Sequence, residues 1–262
     1  MQELQEVHSV SDRLTTLRLK NSKHFRPAAT GYSKDLDLIK TKVFMEEAEI
    51  KCQNSVSAGF IASSASYELK DAQKRAVFEA IERSTLQSWW SMRKKWDSKL
   101  GTEDTRKIYD KLFDNQEIDL SIGFIKPVSG TGYLAIAIIE TANTYPYIVA
   151  GSSFRLDPLE AANHAAIEAV QSLNASRWIK LNTPMQTVYW DIGELRLRKK
   201  SLQKIPNIPI RSIRKENYPI DFISNTYKFE TLRIENIHIA YVYQHADISK
   251  KNRTIVKTPF NH

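Results

Sequence analysis

Three pairs of side chains have the types and spacing to do chemistry together: Glu46 with Glu49, Glu79 with Glu82, and Glu168 with Gln171. Each pair is spaced i,i+3, so on a helix both members project from one face. A lone pair of this kind is ordinarily a solvated helix face. Three pairs in one repeated setting predict a shared cavity, because each follows a glycine (Gly31, Gly59 and Gly151) at the end of a run of small or apolar residues. Carboxylate and amide oxygens are hard ligands suited to magnesium, which commonly bridges protein acids to nucleotide phosphates. Without a metal between them, an acidic cluster would repel polyphosphate. The chain contains no Walker-type Gly-Lys-Ser/Thr loop and no kinase-like glycine loop. Any ATP bound here is therefore expected to sit across metal from these acids.

The elements that must carry the pairs are legible. Helices are predicted over 33–51, 70–95 and 157–173. The third opens on Asp157-Pro158, an acid that can accept first-turn amides followed by a proline suited to the first helical position. Its alanines (Ala161, Ala162, Ala165, Ala166 and Ala169) favour helix and allow close packing. The runs 132–139 and 147–150 read as a buried strand pair joined around Asn143-Thr144. The fold class expected is α/β (α+β), a single domain over 1–262 with residues 1–20 as an N-terminal extension. Sheets would support helices that bring three acidic motifs around one nucleotide site.

At these residues the chain resembles the YcaO family of ATP-dependent enzymes that activate peptide backbone amides. The strongest segment runs from Ser57-Ala58-Gly59 through Ala72-Gln73-Lys74-Arg75-Ala76-Val77-Phe78-Glu79-Ala80-Ile81-Glu82-Arg83 to Trp89-Trp90. It is similar to the family's glycine turn followed by a helix bearing Glu-x-x-Glu-Arg. Gly151 to Asp157-Pro158, leading to Glu168-Ala169-Val170-Gln171, is similar to the family's Asp-Pro, alanine-rich, Glu-x-x-Gln block. Ala29-Thr30-Gly31 to Glu46-Glu47-Ala48-Glu49 fits the first motif in order and spacing. The ending Thr258-Pro259-Phe260-Asn261-His262 resembles proline-rich cyclodehydratase termini. The chain departs from the family at Lys42, where Ser is usual, at Arg75, at Ile50 in place of Arg, and at Leu173.

The resemblance implies ATP and Mg²⁺ as cofactors and a ribosomally made precursor peptide as substrate. It implies cyclodehydration of Cys, Ser or Thr to azolines, the precursors of thiazoles and oxazoles. Thioamide formation or a non-catalytic scaffold role in the same kind of complex are the alternatives. Glu46, Glu49, Glu79, Glu82 and Glu168 are the expected metal ligands, with Glu79, Glu82 and Arg83 catalytic, and Gln171, Arg83 and Glu168 on the nucleotide. A separate leader-peptide-recognition protein is expected as partner, within a homo- or hetero-oligomer.

Composition narrows the rest. The formal net charge of +8 is partly concentrated in 196–215, where eight basic residues occur with no acid among them. Such a run usually reads as a solvated loop or strand edge, and more sharply as a surface for an anionic partner. A basic nucleic-acid-binding protein is a third reading, disfavoured because no zinc-finger, RRM-like or KH-like pattern accompanies the charge. No apolar run is long enough to span a bilayer, and Met1 to Glu6 lacks the stretch of a secretory signal. A cytoplasmic, membrane-free protein is expected. Cys52 is the only cysteine and reads as structural. Trp89, Trp90 and Trp96 read as core or interface anchors, and His164, four residues before Glu168, reads as structural ahead of functional.

Overall fold

The run Tyr133–Thr141 is apolar on almost every residue and buried along nearly its whole length, the pattern of a strand covered on both faces. It is the second strand of a five-stranded sheet in a computed structural model that describes residues 3–22, 25–56, 59–114, 118–127, 129–142, 147–182, 192–210 and 227–244. In chain order the elements are β1 (Leu4–Val7), β2 (Leu14–Leu19), β3 (Ala28–Tyr32), α1 (Leu36–Cys52), β4 (Ala62–Ser66), α2 (Leu69–Ser91), β5 (Ser98–Leu100) and α3 (Thr102–Leu112). There follow β6 (Ile118–Ile125), β7 (Tyr133–Thr141), β8 (Ile148–Arg155), α4 (Pro158–Asn182), α5 (Ile192–Gln203), β9 (Asn207–Ile208), β10 (Tyr227–Ile234) and β11 (Ile237–Gln244). The described residues form three sheets, ordered β1-β2-β3, β10-β11-β4 and β8-β7-β6-β5-β9.

Period-two alternation along β7 divides the core between two layers. Leu134, Ile136 and Ile138 face a cluster with Ile81, Trp89 and Leu202. Ala135, Ala137 and Ile139 face a second cluster with Ala162, Ala166 and Leu173 of α4. α2 and α5 therefore cover one face of the large sheet, and α3 and α4 the other. The alanines of α4 let it lie close on β8. A Cβ added at Gly151 would come within 2.2 Å of the Ala169 backbone nitrogen and 2.5 Å of the Ala165 carbonyl oxygen. Gly59, by contrast, sits ahead of β4 with φ +94°, a turn conformation suited to glycine.

The three expected helices form, with shifted ends. Residues 33–35 are a short 3₁₀ turn before α1, α2 stops at Ser91, and α4 continues nine residues past Leu173, to Asn182. The first twenty residues supply β1 and β2, of which β2 pairs with β3, and every residue of β2 is buried. Within the basic run, Arg196 to Gln203 is helical and not a loop, while Lys204 follows in a turn before β9, a two-residue edge strand. Arg198 is buried, with its guanidinium 4.1 Å over the Trp89 ring and bonded to Glu194 and the Lys94 carbonyl at 2.9 and 2.8 Å. Lys199 is buried between Asp119 and Glu140 at 2.6 and 2.5 Å. Two of the eight cations are thus spent inside the fold, because a buried charge must be paired and hydrogen-bonded. Arg211, Arg214 and Lys215, the Asn143-Thr144 connection, and Thr258 to His262 lie outside the described residues.

Candidate functional site

β3, β4 and β8 are each the edge of their sheet among the described residues, and each leads into one of the acid-bearing helices. An edge strand presents amides with no ladder partner, and buried amides must find acceptors. The glutamates supply them. Glu46 accepts from the Ala28 amide at 2.7 Å and is paired with Arg26. Glu49 accepts from the Ala65 amide at 2.7 Å and the Ser63 hydroxyl at 3.2 Å. The Ser63 amide is directed at Glu79, which is also paired with Arg83. Glu82 accepts from the Ser152 hydroxyl at 2.5 Å and the Phe154 amide at 3.1 Å. The Ser152 amide is directed at Glu168, and Gln171 donates to the Ala28 carbonyl at 3.2 Å.

The pattern is a closed cycle of three strand–helix units. The first acid of each helix bonds its own strand: Glu46 to β3, Glu79 to β4, Glu168 to β8. The residue three later bonds the strand of the next unit: Glu49 to β4, Glu82 to β8, and Gln171 back to β3. Glu49 and Glu82 use the same two partners, a serine hydroxyl and the amide two residues later. At the third junction alanine replaces the serine and glutamine replaces the glutamate, so an amide donor meets the Ala28 carbonyl. The two changes are complementary, because a carboxylate cannot donate.

The cycle crowds like charges. Burial, then Glu79, pushes the Glu49 carboxyl up to about 8. Burial raises Glu82 to about 7 against the hydrogen bonds from Ser152 and Phe154. Glu79 is raised by burial against Arg83 and Arg26. Glu168 is raised well above the ordinary range by the surrounding protein and by Glu82. Glu168 is nonetheless exposed at the rim, and Glu46, Glu49, Glu79, Glu82 and Gln171 are half-buried. For Glu168 the exposure limits the energetic cost. The acids thus gather in one acidic centre that stays partly accessible to solvent.

A carboxyl whose folded pKa lies above its unfolded value favours folding while protonated, and that contribution is lost as pH rises through the folded pKa. Burial and nearby cations hold the His164 imidazole down to about 4, so its own contribution is complete above its unfolded value near 6.5. Between pH 6.5 and 8.5 the raised Glu49 and Glu82 carboxyls drive the loss, and Glu79 and Glu168, shifted in the same direction, add to it. The metal-free chain is expected to lose about 2 kcal/mol over that range, after discounting about 1.4 kcal/mol per unit for solvent screening. That corresponds to a fall in Tm of roughly 5 °C. A melting series in chelator checks it, and a Tm that rises toward pH 8.5 contradicts it.

The donor set suits magnesium in its usual protein setting. Magnesium takes one or two carboxylates and completes its shell with water and substrate phosphate. Among the described residues no three His, Cys, Asp or Glu side chains form a metal cage by themselves, so Glu49, Glu79, Glu82 and Glu168 would each offer single contacts. Several residues of the site carried no signal in the sequence. Arg26 and Ser63 precede their helices by many residues, and only the fold shows that they touch the acids. Ser152 and Arg155 lie in a quoted motif, but nothing local shows that one bonds Glu82 and the other acts on Glu82 and Glu168. Between α1, α4 and β3 lies a cavity of about 590 Å³ lined in part by Thr30, Lys42, Asn163 and His164. Cys52 is buried in an apolar cluster, as expected. Trp89 and Trp96 are buried in the core, while Trp90 packs half-buried beside them.

The architecture is a YcaO-like fold. Its similarity to YcaO from Methanopyrus kandleri bound with AMPPCP and Mg²⁺ has a TM-score of 0.69 at 11% identity, covering 92% of this chain and 84% of that one. The E. coli microcin synthetase McbBCD complex is similar at a TM-score of 0.52 and 14% identity, over 76% of this chain and 56% of that one. A heterocyclase in complex with substrate and cofactor matches at 0.51 and 13% identity, over 69% of this chain and 27% of the other. No family profile and no curated protein sequence matches the chain.

Proposed function

We propose that the chain is a divergent, compact YcaO-type enzyme that uses ATP and magnesium to activate a peptide backbone amide, and that its product is an azoline formed from Cys, Ser or Thr. The observation that carries this reading is the closed cycle of partly accessible acids from three helices, within a fold shared with a nucleotide-bound protein. Magnesium, when bound, supplies charge neutralisation between acids and phosphate. Glu79 and Glu82 hold their carboxylates in the acidic centre, fixed by Arg83 and by Ser152 and Phe154 of β8. Glu168 at the rim and Arg83, half-exposed, face incoming nucleotide. Gln171 is positioned by its bond to β3. Pre-set groups of this kind accelerate reaction by placing charge and reactants, with no covalent enzyme intermediate.

The peptide substrate and a separate leader-recognition protein belong to the same proposal, supported by the fold shared with the McbBCD complex. Among the described residues no helix is long and apolar enough to cross a membrane, and a cytoplasmic setting fits that. A scaffold reading has one observation in its favour: the acids are already bonded to strand edges. Mass spectrometry of a candidate precursor peptide separates the two. Incubation with ATP, magnesium and the recognition protein is expected to remove about 18 Da per ring, the water lost when a hydroxyl or thiol closes on the amide. A mass gain from oxygen-to-sulfur exchange selects thioamide formation. An unchanged peptide with its cognate partner present selects the scaffold.

A further inference from the structure

The chain leaves α2 through Arg93, Lys94 and Lys95, and cations at such a place ordinarily serve the last helical carbonyls. Those carbonyls are already served. The buried Arg198 guanidinium reaches the Trp89, Trp90 and Lys94 carbonyls at 3.4, 3.3 and 2.8 Å, and the Lys94 amide closes on the Trp89 carbonyl at 3.1 Å. Arg93 sits at φ 50°, where glycine is usual, so the turn keeps a cation against its backbone preference. Lys94 and Lys95 line a cavity of about 380 Å³ together with Lys126, which follows β6. All three lysines are exposed, and among the described residues none forms an ion pair. Asp97, which also lines the cavity, accepts the Lys126 amide at 2.5 Å. The floor is apolar and closed, formed by Trp96, Ile125 and Pro127, all buried. α5 extends this surface. Ser201 accepts from the Trp96 indole nitrogen at 3.1 Å, and Leu197, four residues earlier, shares its helical face. Lys204, exposed and without an ion pair among the described residues, turns back to bond the Ser201 carbonyl through its amide. Leu197 and Met92 are 62% and 69% exposed, two apolar anchors left beside four unpaired lysines.

We infer that this surface docks an acidic segment of a partner protein, with carboxylates over Lys94, Lys95 and Lys126 and an apolar side chain against Leu197 and Met92. Like charges held together raise the local potential and draw an anionic partner. Exposed lysines facing carboxylates act as rim contacts, which set partner choice and encounter rate. The apolar anchors favour protein over nucleic acid, since methionine adapts readily to the apolar side chains of a partner. A nucleic-acid strand would call for an exposed aromatic platform under its bases, and Trp96, only 5% exposed, offers none. The basic run seen in the sequence serves this surface through Lys204, and through Arg198, which holds the lysine-bearing turn from inside. The inference stands on these residues alone and does not rest on the nucleotide reading.

The probe is a fluorescein-labelled peptide of glutamates with interspersed leucines, read by anisotropy against the full chain. Saturable binding is expected at low salt, weakening as added salt screens the exposed charges. Lys95→Glu and Lys126→Glu are each expected to weaken it roughly fivefold, the upper scale of one solvent-exposed charge pair. Lys126→Arg keeps the charge and is expected to retain binding. Lys228→Glu makes the same charge change on exposed β10 and is expected to alter binding by less than about twofold, since distant exposed charges are screened. Leu197→Ser is expected to weaken the leucine-bearing peptide roughly threefold through lost apolar burial, and to leave the affinity of an all-glutamate peptide unaltered. Absence of saturable binding, or an equal loss in Lys228→Glu, overturns the surface. Tighter binding of an oligothymidylate of the same charge, weakened by the same variants, overturns the protein partner in favour of nucleic acid. Displacement of the peptide by Mg-ATP overturns it in favour of the nucleotide site. Peptide binding that persists where magnesium-dependent ATP binding fails would overturn the proposed function and leave this surface standing.

Discussion

Glutamine at Glu79 or at Glu82 is expected to lower ATP-dependent peptide modification by roughly 10²–10³-fold, the range seen when one group that stabilises developing charge is removed. Both positions lie one helical turn apart on α2, and each carboxylate is oriented by a different strand, Glu79 by β4 and Glu82 by β8. An amide has one acceptor oxygen where the carboxylate has two, so the strand contact and a metal contact cannot both be kept. Fold stability should change little. The Glu82 carboxyl titrates at about 7, so near neutral pH the amide replaces a group already half protonated. Relief of like charge should leave the metal-free variants as stable as wild type or slightly more so at pH 8.5. Glu68→Gln, exposed just before α2, is the control and should match wild type. Full activity in both cycle variants would remove these acids from the chemistry.

The largest expected stability effect belongs to Gly151→Ala. Its new Cβ would lie 2.2, 2.5 and 2.6 Å from backbone atoms of Ala169, Ala165 and Glu168, and no side-chain rotation relieves contact with backbone. α4 must lift from β8, which also displaces Glu168 and Gln171 from the cycle. Overpacking in a well-packed site costs typically 1–3 kcal/mol and occasionally more, and the backbone contact here puts the expectation at about 3–5 kcal/mol, a Tm loss of roughly 10 °C. Gly101→Ala is the comparison. Its nearest contact would be 3.5 Å, so it should fall within about 1 kcal/mol of wild type. Thermal melts of the two variants check the difference. Equal melting temperatures would show that α4 does not seat on β8 through this glycine.

How much of this was legible in the sequence varies by element. Glu79-Ala80-Ile81-Glu82-Arg83 was readable because helical periodicity is local, and so was the alanine face of α4 that makes room for Gly151. The i,i+3 spacing predicted that the acids of each pair share a face. It did not reveal their partners, since Glu49 meets Ser63 of β4 and Glu82 meets Ser152 of β8 through edges that only the assembled sheets define. β2 was hidden because Thr15, Thr16 and Arg18 are buried polar residues, which break the apolar alternation that marks a strand. α5 was hidden for a related reason. Arg198 and Lys199 read as solvated charge, yet their partners Trp89, Asp119 and Glu140 come from distant parts of the chain.

The central claim is that the acidic cycle holds a nucleotide through magnesium, and calorimetric titration with ATP tests it most directly. In magnesium the wild-type chain is expected to bind ATP saturably at one site. In chelator the affinity should fall by at least about tenfold, to the residual contribution of direct cationic contacts. Glu82→Gln should bind ATP in magnesium no better than wild type does in chelator. Equal affinity with and without magnesium, or unaltered magnesium-dependent binding by Glu82→Gln, would contradict the account.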